Sequence, residues 1–253
     1  MPVHLIRGGY ANTYLIEDGN SFVAVDVGTS SAAKKIYQYL SAYGGSIDAP
    51  SLRMVTATHF HIDHVAGISR LVQLFPETRI CFFTMVGDYL KGKDKICLFS
   101  PTRWLKGLLP VVMASDDHIK KSLAALLSDR IAIPLPFLRR FLPSAYKAEC
   151  ILDEDRQIPY LPHWAMIKTP GHTPDSICFY SGDEGTLISG DTILNMKGSG
   201  ELNNFCCDFN TIKESFEKLL PLTIENIHPG HGKPLRNLDS LGNRSMKKEK
   251  LFA

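Results

Sequence analysis

The sequence lacks most of the features that assign a function class by composition. Its 28 Lys and Arg almost cancel its 26 Asp and Glu, leaving a formal charge of +2 over 253 residues. So weak a field gives no overall case for binding nucleic acid or an anionic membrane. No apolar run approaches the roughly 20 residues that a membrane helix requires. The most apolar stretch, residues 131–138, is eight residues long and holds two prolines. The N-terminus has no basic segment followed by a continuous apolar one, so no secretory leader is expected. The six cysteines (81, 97, 150, 178, 206 and 207) include no CxxC pair. They read as free thiols in a reducing cytoplasm.

What is present is a chain with 44% hydrophobic residues, enough for a substantial core. The mild net charge hides an uneven distribution. Residues 88–149 hold 11 Lys or Arg against 6 Asp or Glu, and residues 244–253 add +3, so the rest of the chain is acidic. The spacing predicts strands at 3–7, 11–17 and 21–27. A helix capped by Thr29 or Ser30 then runs to Gly44-Gly45. A strand at 52–58, a helix over 65–75 and a strand at 79–85 follow. The second half repeats the layout, with strands at 165–169, 176–180 and 186–189, a helix over 211–220 and a strand at 223–227. This pattern suggests two sheets packed face to face with helices outside. Residues 1–253 read as one domain, with a helical insert at 88–150 and a basic C-terminal tail at 236–253.

The most informative stretch is His59-Phe60-His61-Ile62-Asp63-His64, between a predicted strand and a predicted helix. In extended chain, positions i, i+2 and i+4 face one side, so His59, His61 and Asp63 can converge. The turn into the helix swings His64 to a neighbouring direction. Two imidazoles can thus hold one cation while Asp63 and His64 hold another. Three later residues have the same character: His172 in Pro170-Gly171-His172, Asp191 after Gly190, and His231 between Gly230 and Gly232. Each is polar, glycine-flanked and close to a strand end, where loops carry sites on a rigid scaffold. We read all three as further ligands. Imidazole and carboxylate donors without thiolate suit zinc, iron or manganese, and two Zn2+ are the expected cofactors of a hydrolase.

This ordered set, HxHxDH followed by His, Asp and His, resembles the metallo-β-lactamase superfamily. The likeness covers residues 1–87 and 151–235. It implies an α/β fold, a four-layer αββα sandwich into which the helical insert is set. It places His59, His61 and His172 on one metal, and Asp63, His64 and His231 on the other, with Asp191 bridging. Asp26, at the end of the third predicted strand, is implied to support a ligand from behind. The bridging Asp191 is closer to the glyoxalase II, lactonase and phosphodiesterase branches than to true β-lactamases. Glyoxalase II-like enzymes carry a C-terminal glutathione-binding domain, whereas 22 residues follow His231 here, so glutathione itself is not the expected substrate.

Two cations sharing a water can lower its pKa to about 7 or below. The expected reaction is therefore attack by a metal-bridging hydroxide on an ester, thioester or lactone, with Asp63 relaying a proton. A phosphodiesterase or nuclease with the same metals, a non-haem iron oxidoreductase, and a non-enzymatic membrane- or partner-binding module are the competing readings. The expected partner is a small molecule, of amphiphilic type in one reading. Trp104 and Phe137 in the insert offer it apolar surface, and Lys197 offers an anion contact. Nucleic acid is not expected, while membrane-surface contact or a homodimer through the insert stays open.

Overall fold

The structure, a computed structural model, describes residues 1–43, 51–91, 93, 150–196 and 198–238. Most of the insert 88–150, the tail from 239 onward, and Trp104, Phe137 and Lys197 lie outside the described residues. The elements are β1 (Val3–Ile6), β2 (Thr13–Asp18), β3 (Ser21–Val25), α1 (Ser30–Tyr43), β4 (Ser51–Thr56), α2 (Ile62–Val65), α3 (Ile68–Leu74), β5 (Arg79–Phe83), α4 (Thr84–Lys91) and β6 (Cys150–Leu152). The chain continues through β7 (Ala165–Lys168), β8 (Ile177–Ser181), β9 (Thr186–Gly190), β10 (Ile193–Leu194), β11 (Glu201–Leu202), α5 (Phe209–Glu217), β12 (Asn226–Pro229) and β13 (Leu235–Arg236).

A six-stranded sheet runs in the order β1-β2-β3-β4-β5-β6, and a five-stranded sheet in the order β13-β12-β9-β8-β7. Strand alternation sorts the apolar side chains into layers. Along β3, Phe22 and Ala24 face the helices α1 and α3, while Val23 and Val25 face the second sheet. On β8, Ile177 and Phe179 meet that same inter-sheet core, and Cys178 turns outward toward Phe216 of α5. Three cores separated by two sheets make four layers, helix–sheet–sheet–helix. The fold is the mixed α/β sandwich expected.

Local chemistry sets the element ends. Thr29 Oγ1 accepts from the Ala32 amide at 3.0 Å and caps α1. The buried face of α1 is Ala32, Ala33, Ile36 and Leu40. Burying each of the two larger side chains stabilises by about 1.5–3 kcal/mol. Asp208 caps α5 by accepting from the Asn210 and Thr211 amides at 2.9 and 3.1 Å. The single helix expected over 65–75 is instead two, α2 and α3, broken at Gly67. A side chain there would meet the Thr29 carbonyl at 2.2 Å.

The cysteines require a correction. Parallel pairing of β5 with β6 sets Cys81 opposite Cys150, with Cα atoms 4.6 Å apart, and the two form a disulfide. Cys207 is disulfide-bonded as well. Cys178 and Cys206 are buried thiols. The expectation of free thiols throughout fails because pairing between strands far apart in sequence leaves no spacing signature, and with it goes the cysteine argument for a reducing cytoplasm. No helix among the described residues is long and apolar enough to cross a membrane.

Candidate metal centre

The candidate residues gather where strands end. β4 stops at Thr56, and the chain bends at Thr58 and His59 before His61 (φ −86°, ψ 152°) leads into α2, so the extended run expected across this motif is broken. His59 and His61 are thereby delivered from the loop after β4, and Asp63 and His64 from the first turn of a helix. His172 follows β7, Asp191 follows β9 and His231 follows β12. The parallel pairs β3–β4 and β9–β12 put their carboxyl ends on one edge of each sheet, as in other open α/β sites. All seven residues expected to bind metal are less than a tenth exposed.

The donor atoms converge. His61 Nδ1 lies 3.0 Å from His59 Nε2 and 3.1 Å from His172 Nε2. Three nitrogens around one tetrahedral ion at 2.0–2.1 Å would sit roughly 3.3 Å apart. Asp63 Oδ2 is 3.3 Å from His231 Nε2 and 3.8 Å from His64 Nε2. Asp191 spans both clusters: Oδ2 is 3.4 Å from His172 Nε2 and 3.5 Å from His231 Nε2, and Oδ1 is 3.5 Å from His64 Nε2. Donor atoms within 4.8 Å of one another define three groups, His59–His61–His172, His59–His64–Asp191 and Asp63–His64–His231.

Outer contacts aim the rings. His172 Nδ1 donates to the Phe205 carbonyl at 2.7 Å and His231 Nδ1 to the Tyr10 carbonyl at 3.2 Å, which turns each Nε2 inward. His64 Nδ1 pairs with Asp26 Oδ2 at 3.0 Å. Asp26 is fully buried and also accepts from the Thr58 amide and hydroxyl at 2.7 and 2.8 Å. Its backbone is left-handed (φ 61°), a conformation costly for a non-glycine residue and retained here where its carboxylate braces the centre. Gly230 makes room at the middle, since a Cβ there would lie 2.1 Å from Asp191 Oδ1.

Electrostatics divides the histidines. Burial, with the neighbouring imidazoles, drives His59 well below its ordinary range, and His61 is lowered to about 3. Burial also lowers His172. Burial opposes charge on His64 too, but Asp26, Asp191 and Asp63 outweigh it and raise it to about 10. His231 is raised in the same way, with Asp191 the chief cause overcoming burial. Burial would raise Asp63 and Asp191, yet His64 and His231 hold both carboxyls below the usual range. The carboxylates therefore demand nearby positive charge.

Four contributors escaped sequence reasoning. Asn12 Nδ2 donates to the carbonyls of Pro229 and Gly232 at 2.9 and 2.8 Å, clamping the His231 turn. Asp175 accepts from the Phe60 amide at 2.7 Å and from the Tyr89 hydroxyl at 3.4 Å, tying the His172 loop to the His59–His61 segment and to α4. Asn203 Oδ1 accepts from the Phe205 amide at 2.9 Å. Tyr10 stacks on His231 with ring centroids 4.4 Å apart. Only Asp175, a carboxylate three residues after a ligand-like histidine, left a signal that could have been read. His228 packs against Tyr14, with ring centroids 5.2 Å apart.

Comparison with known proteins follows the same lines. The sequence model of a family described as the metallo-beta-lactamase superfamily matches residues 6–231. A probable metallo-hydrolase of Bacillus subtilis, YflN, is 27% identical over 249 residues, 92% of this chain and 84% of that protein. A hydroxyacylglutathione hydrolase of Francisella tularensis is 25% identical over 74% of this chain, which spans about half (52%) of that relative's length. Among solved structures, TTHA1623 in a di-iron-bound form superposes with a TM-score of 0.55 at 23% identity, covering 89% of each chain.

Proposed function

Because the chain belongs to the metallo-β-lactamase superfamily of metallo-hydrolases, we propose that it is a dinuclear enzyme that hydrolyses thioesters and related small esters. The observation that carries this reading is Asp191, whose two carboxylate oxygens lie within 3.5 Å of His64, His172 and His231 at once. The donor set also fits cations on its own terms. Asp63 Oδ1 and Asp191 Oδ1 are buried and accept no hydrogen bond among the described residues, an arrangement costly without a cation. In this reading His59, His61 and His172 hold one ion, and Asp63, His64 and His231 the other, with Asp191 between them. We assign zinc on the donor chemistry, with iron as the alternative suggested by the di-iron relative.

Two bound divalent cations would supply a water of lowered pKa and polarisation of the scissile carbonyl. The protein's own part is to aim and to move protons. Asp26, the Phe205 carbonyl and the Tyr10 carbonyl fix three rings, so that little reorganisation is needed during reaction. Asp63 Oδ1, without a hydrogen-bond partner, is the atom that takes the proton of the attacking water. Water adds across the C–S bond, giving a carboxylic acid and a thiol. A thiol, with a pKa near 8.5, leaves as an anion far more readily than an alcohol, so a thioester asks less of a proton donor. That argument, with the hydroxyacylglutathione hydrolase relative, supports our reading of thioesters ahead of esters and lactones.

The test is a substrate panel on protein reconstituted with zinc, iron or manganese. Acyl thioesters should have the highest kcat/KM among thioesters, lactones, aryl esters and bis-aryl phosphodiesters. Faster cleavage of the phosphodiester would replace this reading with the nuclease-like one.

A further inference from the structure

A cleft of about 270 Å3 opens beside the candidate metal centre, lined by residues that include Arg7, Tyr10, Asn195, His231 and Lys233. It is smaller than the 300–1,000 Å3 typical of a complete small-molecule site, so it suits one group of a substrate. Among the described lining residues, two are cationic and none is acidic. Neither Arg7 nor Lys233 has an ion-pair partner among the described residues. A third cation stands close by, since the Lys35 ammonium donates to the Arg7 carbonyl.

The walls are firmly built. The Asn195 amide donates to the His231 carbonyl at 3.1 Å, and Asn195 Nδ2 donates to the Lys233 carbonyl at 2.9 Å. The Asn195 side-chain oxygen, on a residue 6% exposed, has no hydrogen-bond partner among the described residues. Gly232 (φ 90°) lets the two loops touch, for a Cβ there would fall 1.9 Å from the Asn195 carbonyl. Asn12 secures the same turn from below. The cleft also shares His231 with the candidate centre, so whatever fills it lies against the ligand sphere.

We propose that this cleft binds an anionic group, carboxylate or phosphate, carried by the substrate of the metal centre, with Arg7 and Lys233 as the recognising cations. The inference rests on the metallo-hydrolase reading and narrows its substrate to anionic esters and thioesters. Two cations that line one cleft gain when an anion sits in it, and a concave basic surface raises the local concentration of such substrates.

The test compares the metal-reconstituted protein with the double variant R7Q/K233Q. Thioesters matched in size, one with a free terminal carboxylate, one with a phosphate and one with a neutral amide, are assayed for KM. Wild type should favour an anionic member over the neutral one by about tenfold or more, and R7Q/K233Q should bring that ratio close to one. Whichever anion shows the larger ratio identifies the source of the charge. An unchanged ratio overturns the proposal. A second measurement needs no turnover: calorimetric titration of inorganic phosphate and of glutarate into both proteins. Anion binding to the metals is common to the two and cancels. The double variant should bind at least one anion five- to tenfold more weakly, while R53Q/K213Q, outside the cleft lining and equal in charge change, should match wild type. Equal affinity in R7Q/K233Q, or equal weakening in R53Q/K213Q, overturns the cleft assignment. Failure of all thioesters with the calorimetric difference intact overturns the thioesterase reading and leaves the anion site standing.

Discussion

The two halves of the candidate centre are built differently. His59, His61 and His172 form an all-imidazole cluster whose members burial keeps neutral. His64 and His231 share their space with Asp63 and Asp191, and the carboxylates draw both rings toward the protonated form. Neutral donors leave the full charge of an ion uncompensated, whereas carboxylate donors cancel part of it. The difference teaches that the halves are unequal partners. Asp191 reaches into both.

If that contrast is right, substitutions should separate the halves in a graded order. The largest effect belongs to Asp191→Ala, which removes the shared carboxylate. Hydrolysis should fall by about 10³-fold or more, beyond the loss of a typical single transition-state contact, and metal content should drop from two ions toward one or fewer. Two ions retained with normal turnover would remove Asp191 from its role. Next come His61→Ala and His231→Ala, each touching one half. Each should lose one ion by elemental analysis and about 10²-fold in rate. Identical metal-binding curves for the two variants would erase the proposed distinction. Smaller again is Asp26→Asn, which weakens the brace behind His64 alone. Metal affinity should fall about 10-fold at the carboxylate-bearing half, read by chelator competition. An equal loss at both halves would show that Asp26 supports the whole scaffold instead.

The smallest effect concerns His228, which lies beside the centre but outside both halves. Burial lowers its pKa to about 4. On unfolding it returns to about 6.5, so below that pH the unfolded chain takes a proton that the folded one refuses. Its contribution to stability is therefore complete above pH 6.5 and declines as pH falls toward 4. Over that window His228→Leu should flatten the loss of stability in urea titrations by on the order of 2 kcal/mol. Parallel wild-type and variant curves would mean that the ring is already hydrated in the folded protein.

The sheets and the clustering of polar residues at their edges were legible because both are local signals. Short apolar runs bounded by turn residues marked β2, β3 and β8, and three histidines and an aspartate within six residues marked the turn after β4. Glycine beside His172, Asp191 and His231 marked tight turns at strand ends. The structure brings these side chains together. What stayed hidden depends on pairing across long sequence gaps. Asn12 reaches Pro229 across 217 residues, and Asp175 reaches Phe60 across 115. An asparagine near a strand end looks like any turn former until its partner is in place. The Cys81–Cys150 bond is of the same kind, fixed by the register of β5 on β6.

That bond has a consequence for how the protein can vary. It joins residues 69 apart in sequence, which in chain-entropy terms removes about 4 kcal/mol of freedom from the unfolded chain. Beyond that, each doubling of the enclosed length costs only about 0.6 kcal/mol. The stretch between α4 and β6 can thus be lengthened or shortened at low loop-closure cost while the two strand ends stay tied, whereas α4 itself, with buried Val86 and Tyr89, belongs to the scaffold. The disulfide works as a fixed socket, below which the scaffold is conserved in geometry and above which new sequence can be tried at low thermodynamic risk.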